Sequence, residues 1–150
     1  MTIISSINIK NRRASFDYFF LDKYLAGIQL TGTEIKSIRE GKININDAFC
    51  SYINNELWLV NAHIAEYTEE KHFNHAPKRN RKLLLQKQEL KKIFLKLKDA
   101  GLTIIPIRFF INEKGFAKVE IALAKGKKNF DKRDSIKKKD VEREISRKIK

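Results

Sequence analysis

Apolar residues along this 150-residue chain change period several times, and each change marks an element. Between 87 and 100, Leu90, Ile93, Phe94, Leu97 and Ala100 recur at intervals of three and four before Gly101, the period of a helix with one buried face. Burying Leu90, Ile93, Phe94 and Leu97 contributes about 1.5–3 kcal/mol each before entropy is counted, so the helix is expected to dock on the core. Its outer face then carries Lys91, Lys92, Lys96 and Lys98. Residues 1–13 show no period and end in Asn11-Arg12-Arg13, which reads as a mobile arm that orders on a ligand. Residues 16–30 have the apolar density of a strand. Thr31-Gly32-Thr33-Glu34 then offers a cap and an early acid, and Ile35, Ile38 and the closing Gly41 predict a short helix with Lys36, Arg39 and Lys42 outward.

Residues 48–53 and 57–60 around Asn54-Asn55 predict a hairpin, and 64–67 a further strand. Residues 68–80 have no core pattern and read as an exposed loop leading through Lys78-Arg79-Asn80-Arg81-Lys82 into Leu83-Leu84-Leu85. Strands at 102–111 and 116–124 flank a turn at Asn112-Glu113-Lys114-Gly115, and Pro106 marks an edge or a bulge. About six short strands and two to three helices follow, without the strand-helix-strand alternation of a parallel sheet. The expected fold is mainly β with helices (α+β), an antiparallel barrel of the oligonucleotide-binding kind. The expected division is a flexible N-terminal arm at 1–10, the barrel at 11–126 and a basic tail at 127–150 that is disordered when free.

Charge sharpens this picture. The last 26 residues hold 12 Lys or Arg against 5 Asp or Glu, which is +7 of the chain's +14. Their start sets Phe130 among Lys125, Lys127, Lys128, Lys132 and Arg133, a combination that suits a polyanion with stackable bases. A merely solvated basic tail is the bland alternative. An anionic membrane is the weaker partner, because the basic stretches lack a Trp- or Leu-rich opposing face and no apolar run reaches a bilayer's thickness. A cytoplasmic protein is expected. Trp58 reads as a core strand residue, and Cys50, the one cysteine, as a small strand residue without a redox role.

Catalytic patterns are weak. His72-Phe73-Asn74-His75 has two imidazoles without further ligands at metal-binding spacing, and His63 at a strand start reads as structural. Glu69-Glu70 is adjacent rather than paired across a cleft, and Gly126-Lys127-Lys128 lacks the rest of a phosphate loop. No catalytic residue, metal or cofactor is predicted, and replacing His72 and His75 together is expected to leave function unchanged. A binding protein is expected rather than an enzyme.

The ordered blocks Asn11-Arg12-Arg13-Ala14, Asp17-Tyr18-Phe19, the run from Ala26-Gly27 through Gly32-Thr33-Glu34 to Gly41-Lys42, Arg81-Lys82-Leu83-Leu84-Leu85, Ala124-Lys125-Gly126-Lys127-Lys128 and Asp131-Lys132-Arg133 together resemble the SsrA-binding protein (SmpB) family. The likeness covers residues 11–150. It implies an oligonucleotide-binding-like barrel that binds the tRNA-like domain of transfer-messenger RNA (tmRNA) and brings it to stalled ribosomes in trans-translation. The resemblance also implies that alanyl-tmRNA arrives with elongation factor Tu and that the tail enters the empty messenger channel near the decoding centre of the 30S subunit of the 70S ribosome. A generic RNA-binding module of a ribosomal or translation-factor kind is the alternative.

Carried onto this sequence, the resemblance implies RNA binding by Asn11 and Leu84, with Arg12, Arg13, Glu34, Lys36, Arg39, Arg81, Lys82, Lys125, Lys127 and Lys128 alongside. For Leu84, spacing alone prefers the core. At the decoding centre and in the tail it implies Phe130, Asp131, Lys132, Arg133, Ile136, Lys137, Lys138, Lys139, Arg143, Ile145 and Arg147. Val141, Ile145 and Ile149 would form a stripe if the tail turns helical on the ribosome. One position departs: Leu25 stands where the family commonly has an acid, so either that contact is dispensable or a neighbour such as Asp22 or Glu34 substitutes. A monomer is assumed.

Overall fold

Side chains alternate in and out along residues 18–28, which pair antiparallel with residues 117–126. The computed structural model describes residues 7–98, 101–128, 132, 133 and 136. Among them the order is β1 (Asn8–Lys10), α1 (Ala14–Asp17), β2 (Tyr18–Ile28), α2 (Gly32–Arg39), β3 (Ile43–Asn44), β4 (Phe49–Ile53), β5 (Glu56–Val60), β6 (His63–Ile64), β7 (Arg81–Leu84), α3 (Lys87–Leu97), β8 (Leu102–Ile111) and β9 (Ala117–Gly126). Six strands pair antiparallel in a circuit, β8-β4-β5-β7-β2-β9 and back to β8, which is the expected mainly β class. The circuit closes between β4 and β8 through one pair, Cys50 with Ile104. Strand β1 lies outside β8, and β3 pairs with β6 in a small separate ladder.

Ile38 of α2 and Ile93 of α3 enter the same core as Leu57, Leu59, Leu83, Ile104, Phe109 and Ile121. A smaller cluster of Ala14, Ile105 and Ala124 seats α1, with Tyr18 and Phe20 packed against it. Cys50 is buried in β4, where loss of water pushes its thiol far up, away from the reactive thiolate. Trp58 is half-buried on β5.

Local chemistry explains the elements. Thr31 Oγ1 accepts the Glu34 amide at 3.4 Å while Glu34 Oε1 accepts the Thr31 amide at 2.8 Å, a reciprocal cap that starts α2. Asn54 and Asn55 take φ of 51° and 64°, the left-handed pair that a two-residue hairpin needs. Gly115 at φ 85° turns β8 into β9. Register between β8 and β9 shifts at Pro106/Arg108, so the proline marks a bulge.

Several expectations are corrected. Residues 8–10 form β1, because three residues can extend an edge without showing any period. Residues 14–17 are helical, so the strand expected from 16 begins at Tyr18. The strand expected at 64–67 shrinks to His63–Ile64 of β6, whose register is continued only by the Ala65 amide donating to the Lys42 carbonyl. The circuit has the expected six strands, and the short β1, β3 and β6 outside it bring the described residues to nine. On α3 only Ile93 is fully buried; Phe94 remains 42% exposed and lies against the Tyr52 ring with centroids 5.0 Å apart. The segment 68–80 is irregular but anchored through buried His75. The Ile64 carbonyl can only accept, so His75 Nε2 donates to it (2.9 Å), and Nδ1 meets Thr33 Oγ1 at 2.9 Å.

Candidate nucleic-acid interface

Two basic motifs far apart in sequence meet where β2 begins and β9 ends. Tyr18 pairs with Gly126 and Phe19 with Lys125, so the Arg12-Arg13 approach to α1 lies beside the exit from the sheet. The Lys127 amide donates to the Asp17 carbonyl at 2.8 Å, and Lys127 Nζ donates to the Ser15 carbonyl at 2.9 Å while standing 4.9 Å from the Phe19 ring centre. Lys132 pairs with Asp17 at 3.3 Å. Arg13 lies 3.9 Å from both Asp17 and Asp47 yet keeps 67% of its side chain exposed. Arg12, Lys125, Lys128 and Arg133 are exposed around this end. Closely spaced, outward cations anchored by backbone contacts can follow a phosphate chain.

Asn11 stands under that cluster rather than on it. Its amide nitrogen donates to the Ile107 carbonyl at 3.0 Å and its Nδ2 to the Pro106 carbonyl at 2.9 Å, which satisfies the backbone at the β8 bulge. Its Oδ1 is buried without a hydrogen-bond partner among the described residues, at the wall of a cleft of about 250 Å³ that Arg13, Tyr18 and Asn46 also line.

A second surface runs over β7 and β2. Leu84 is 46% exposed because Leu83 takes the inward position of the strand; the core placement that spacing favoured is therefore corrected. Gly27, paired opposite Leu84, makes room for it: a Cβ there would stand 3.3 Å from Leu84 Cβ. Leu25, 51% exposed, continues the apolar strip. Sequence reasoning left out Leu25 and missed Phe19; the alternation of outward apolar residues along β2 was the available signal. Asp22 is held by Lys96 and Glu34 is buried, so the carboxylate that pairs across from Leu25 is that of Glu120 on β9.

Glu34 and Arg81 are removed from any surface. Both are fully buried, joined by a short ion pair, and Arg79 adds a bond to Glu34 at 2.7 Å. Arg81 also donates to the carbonyls of Ala62 (2.9 Å) and Pro77 (3.1 Å). Burial alone would push the Glu34 carboxyl up, but hydrogen bonds from Arg79, the Thr31 amide and Arg81 outweigh it and hold it at about 2. Burial lowers Arg81, which Glu34 opposes by stabilising the guanidinium charge. The pair thus ties β7 to α2 and the 62–77 segment.

The remaining candidates are dispersed. Lys36 and Arg39 are exposed on α2, with Lys36 5.4 Å from the Tyr67 ring centre. Lys82 is half-exposed and pairs with Glu56 at 3.5 Å. Ile136 is exposed, whereas Phe130, Asp131, Lys137, Lys138, Lys139, Arg143, Ile145 and Arg147 lie outside the described residues. His72 is exposed and His75 is occupied, so the two imidazoles do not converge. No helix among the described residues is long and apolar enough to cross a membrane.

Comparison with known proteins shows the family of the chain. The family described as SmpB protein matches residues 8–150, body and tail together. The chain belongs to the SmpB family. Proteins named SsrA-binding protein are 58% identical in Bacteroides thetaiotaomicron, over 97% of this chain and 97% of that one, and 57% identical in Christiangramia forsetii, over 95% and 91%. A solved SmpB structure, "tmRNA-SmpB: a journey to the center of the bacterial ribosome", superposes with a TM-score of 0.70 at 41% identity, covering 87% of this chain and 95% of that one. The SmpB match begins at β1, so the short strand outside the ring belongs to the shared unit.

Proposed function

We propose that the chain binds the tRNA-like domain of tmRNA and delivers it to stalled ribosomes in trans-translation. What carries this reading is the match over 8–150 to proteins named for binding SsrA, together with the likeness to an SmpB solved with tmRNA. In this reading the protein performs no chemistry on the RNA. Residues 11–126 form the RNA-binding body, working as a monomer in the bacterial cytoplasm beside alanyl-tmRNA and elongation factor Tu. Arg12, Arg13, Lys125, Lys127 and Lys128 hold phosphates, and Leu84 offers an apolar contact to an exposed base or sugar. Lys36, Arg39 and Lys82 extend the phosphate contacts. Glu34 and Arg81 act by fixing the strand that presents Leu84, and Asn11 by fixing the approach of Arg12 and Arg13. Residues 127–150, with Phe130 first, probe the messenger channel near the decoding centre.

Binding to the tRNA-like domain, measured beside an ordinary tRNA and an unstructured RNA of equal length at near-physiological salt, tests the proposal. A clear preference for the tRNA-like domain that falls in Leu84→Ala, with an unchanged melting temperature, is the expected result. Equal affinity for all three RNAs would return the chain to generic phosphate binding.

A further inference from the structure

One partly apolar surface at the edge of the core takes no part in the interface above. Helix α3 crosses the ring so that Ile93 alone is fully buried, and the stripe Lys87, Lys91, Phe94 and Lys98 faces outward beside the β4–β5 turn. Between them lies a groove of about 420 Å³ lined by Tyr52, Asn55, Glu56, Lys87, Leu90 and Phe94. Its floor is the Tyr52–Phe94 ring pair, inclined at 30° with centroids 5.0 Å apart, and Phe94 keeps 42% of its surface in solvent. Ile53 and Leu95 beyond it are also exposed.

The charges around the groove identify its occupant. Lys98 Nζ lies over the Phe94 ring, 4.8 Å from its centre, and Lys87 and Lys91 line the wall without an ion pair among the described residues. The one carboxylate present, Glu56, is already paired with Lys82 at 3.5 Å. Lys96, on the other flank of α3, is held by Asp22. An aromatic floor with a cationic wall and a single neutralised acid complements a ligand that is flat and apolar in one part and anionic in the next. That is the chemistry of a nucleotide in an unpaired RNA segment: the base lies on an aromatic face, and phosphates on either side reach lysines. Asn55, at the tip of the hairpin with φ 64°, adds an amide able to donate to and accept from a base edge.

We propose that the groove between α3 and the β4–β5 hairpin is a further RNA-binding site that stacks an unpaired base on Phe94 and Tyr52 and holds its phosphates with Lys87 and Lys91. It shares no residue with the Arg12–Lys128 cluster or with Leu84, and it rests on the proposed function only for the class of partner.

The test uses the full chain titrated with a six-nucleotide RNA of mixed sequence and with an abasic strand of the same length and charge, while NMR follows the ring signals of Tyr52 and Phe94. The RNA is expected to move both ring signals, and the abasic strand to move them little. Phe94→Leu keeps the apolar bulk but removes the ring, so it should weaken RNA binding at this site by about 5- to 100-fold, the range of one base–aromatic stack, and spare the abasic strand. Lys91→Gln should weaken both and lower the salt slope by about 0.7. Ring signals that stay still under RNA, or a Phe94→Leu chain that binds as the parent does, overturn the site. A glutamate hexapeptide that moves the rings as strongly as RNA overturns it in favour of a protein partner. Leu84→Ala and the tRNA-like domain report separately on the other surface: loss of preference there with an inert groove refutes the groove alone.

Discussion

At the scale of single residues, the buried charges govern stability rather than binding. Glu34 has an ordinary carboxyl value near 4.5 when unfolded and about 2 when folded. Its depressed folded value stabilises the protein fully above pH 4.5, and that contribution, about 3 kcal/mol, is lost as pH falls toward 2. Glu34→Gln leaves the Arg81 guanidinium buried without its counter-ion, at an expected cost of about 3–5 kcal/mol at pH 7. Urea unfolding from pH 7 to pH 2 should therefore show the gap between parent and variant narrowing below pH 4.5. A gap constant to pH 2 would mean that Glu34 is not the titrating group. The two histidines of the 68–80 segment also differ in what they hold. His75→Ala breaks one buried and one half-buried hydrogen bond and should cost about 1–3 kcal/mol, while His72→Ala should stay within about 0.5 kcal/mol. Unchanged function in the joint replacement of His72 and His75 is therefore to be measured where the chain is still folded, since loss of His75 removes the anchor of the 68–80 segment.

At the scale of elements, what was legible depended on whether an element is long enough to show a period and whether its partners are close in sequence. The cap of α2 and the left-handed asparagines of the hairpin are local, so Thr31, Glu34, Asn54 and Asn55 could be read directly. That hairpin gives a direct check: Asn54→Gly keeps the φ of 51° at little cost, whereas Asn54→Val forces a β-branched residue into it and should lower stability by about 1–2 kcal/mol in thermal melts. Strands β1, β3 and β6 have two or three residues each and no period to show. The basic run at 78–82 reads as solvent-exposed because the carboxylate that buries Arg81 lies 47 positions away. On α3 the spacing located the stripe but not its width: Tyr52 stacks on Phe94 and Lys98 lies over its ring, yet the residue keeps 42% of its surface in solvent. Leu84 needed the opposite information, namely that its neighbour Leu83 takes the core position in β7. The basic ends of the interface were legible as residues, and their meeting was not, since Ser15 and Lys127 are 112 positions apart.

At the scale of the whole molecule, closing the strand circuit turns a diffuse net charge into a local one. With +14 overall, any lysine contributes to general attraction for RNA, so weak binding after a substitution does not by itself locate a contact. The salt slope does, because it counts the counterions released where protein meets phosphate, at about 0.7–0.9 per contact. Arg12→Gln, Lys125→Gln and Lys128→Gln each remove one charge at the end where β2 begins and β9 ends, and each should reduce the slope for the tRNA-like domain by about that amount. Lys96→Gln removes the same unit charge from α3, where Asp22 already holds it, and should leave the slope unchanged although the net charge falls equally. If all four variants lower the slope alike, the RNA senses only total charge and the fold has built no interface there. If only the three at the sheet's exit do so, the antiparallel pairing that sets Phe19 against Lys125 is what converts two distant basic motifs into one phosphate-binding edge.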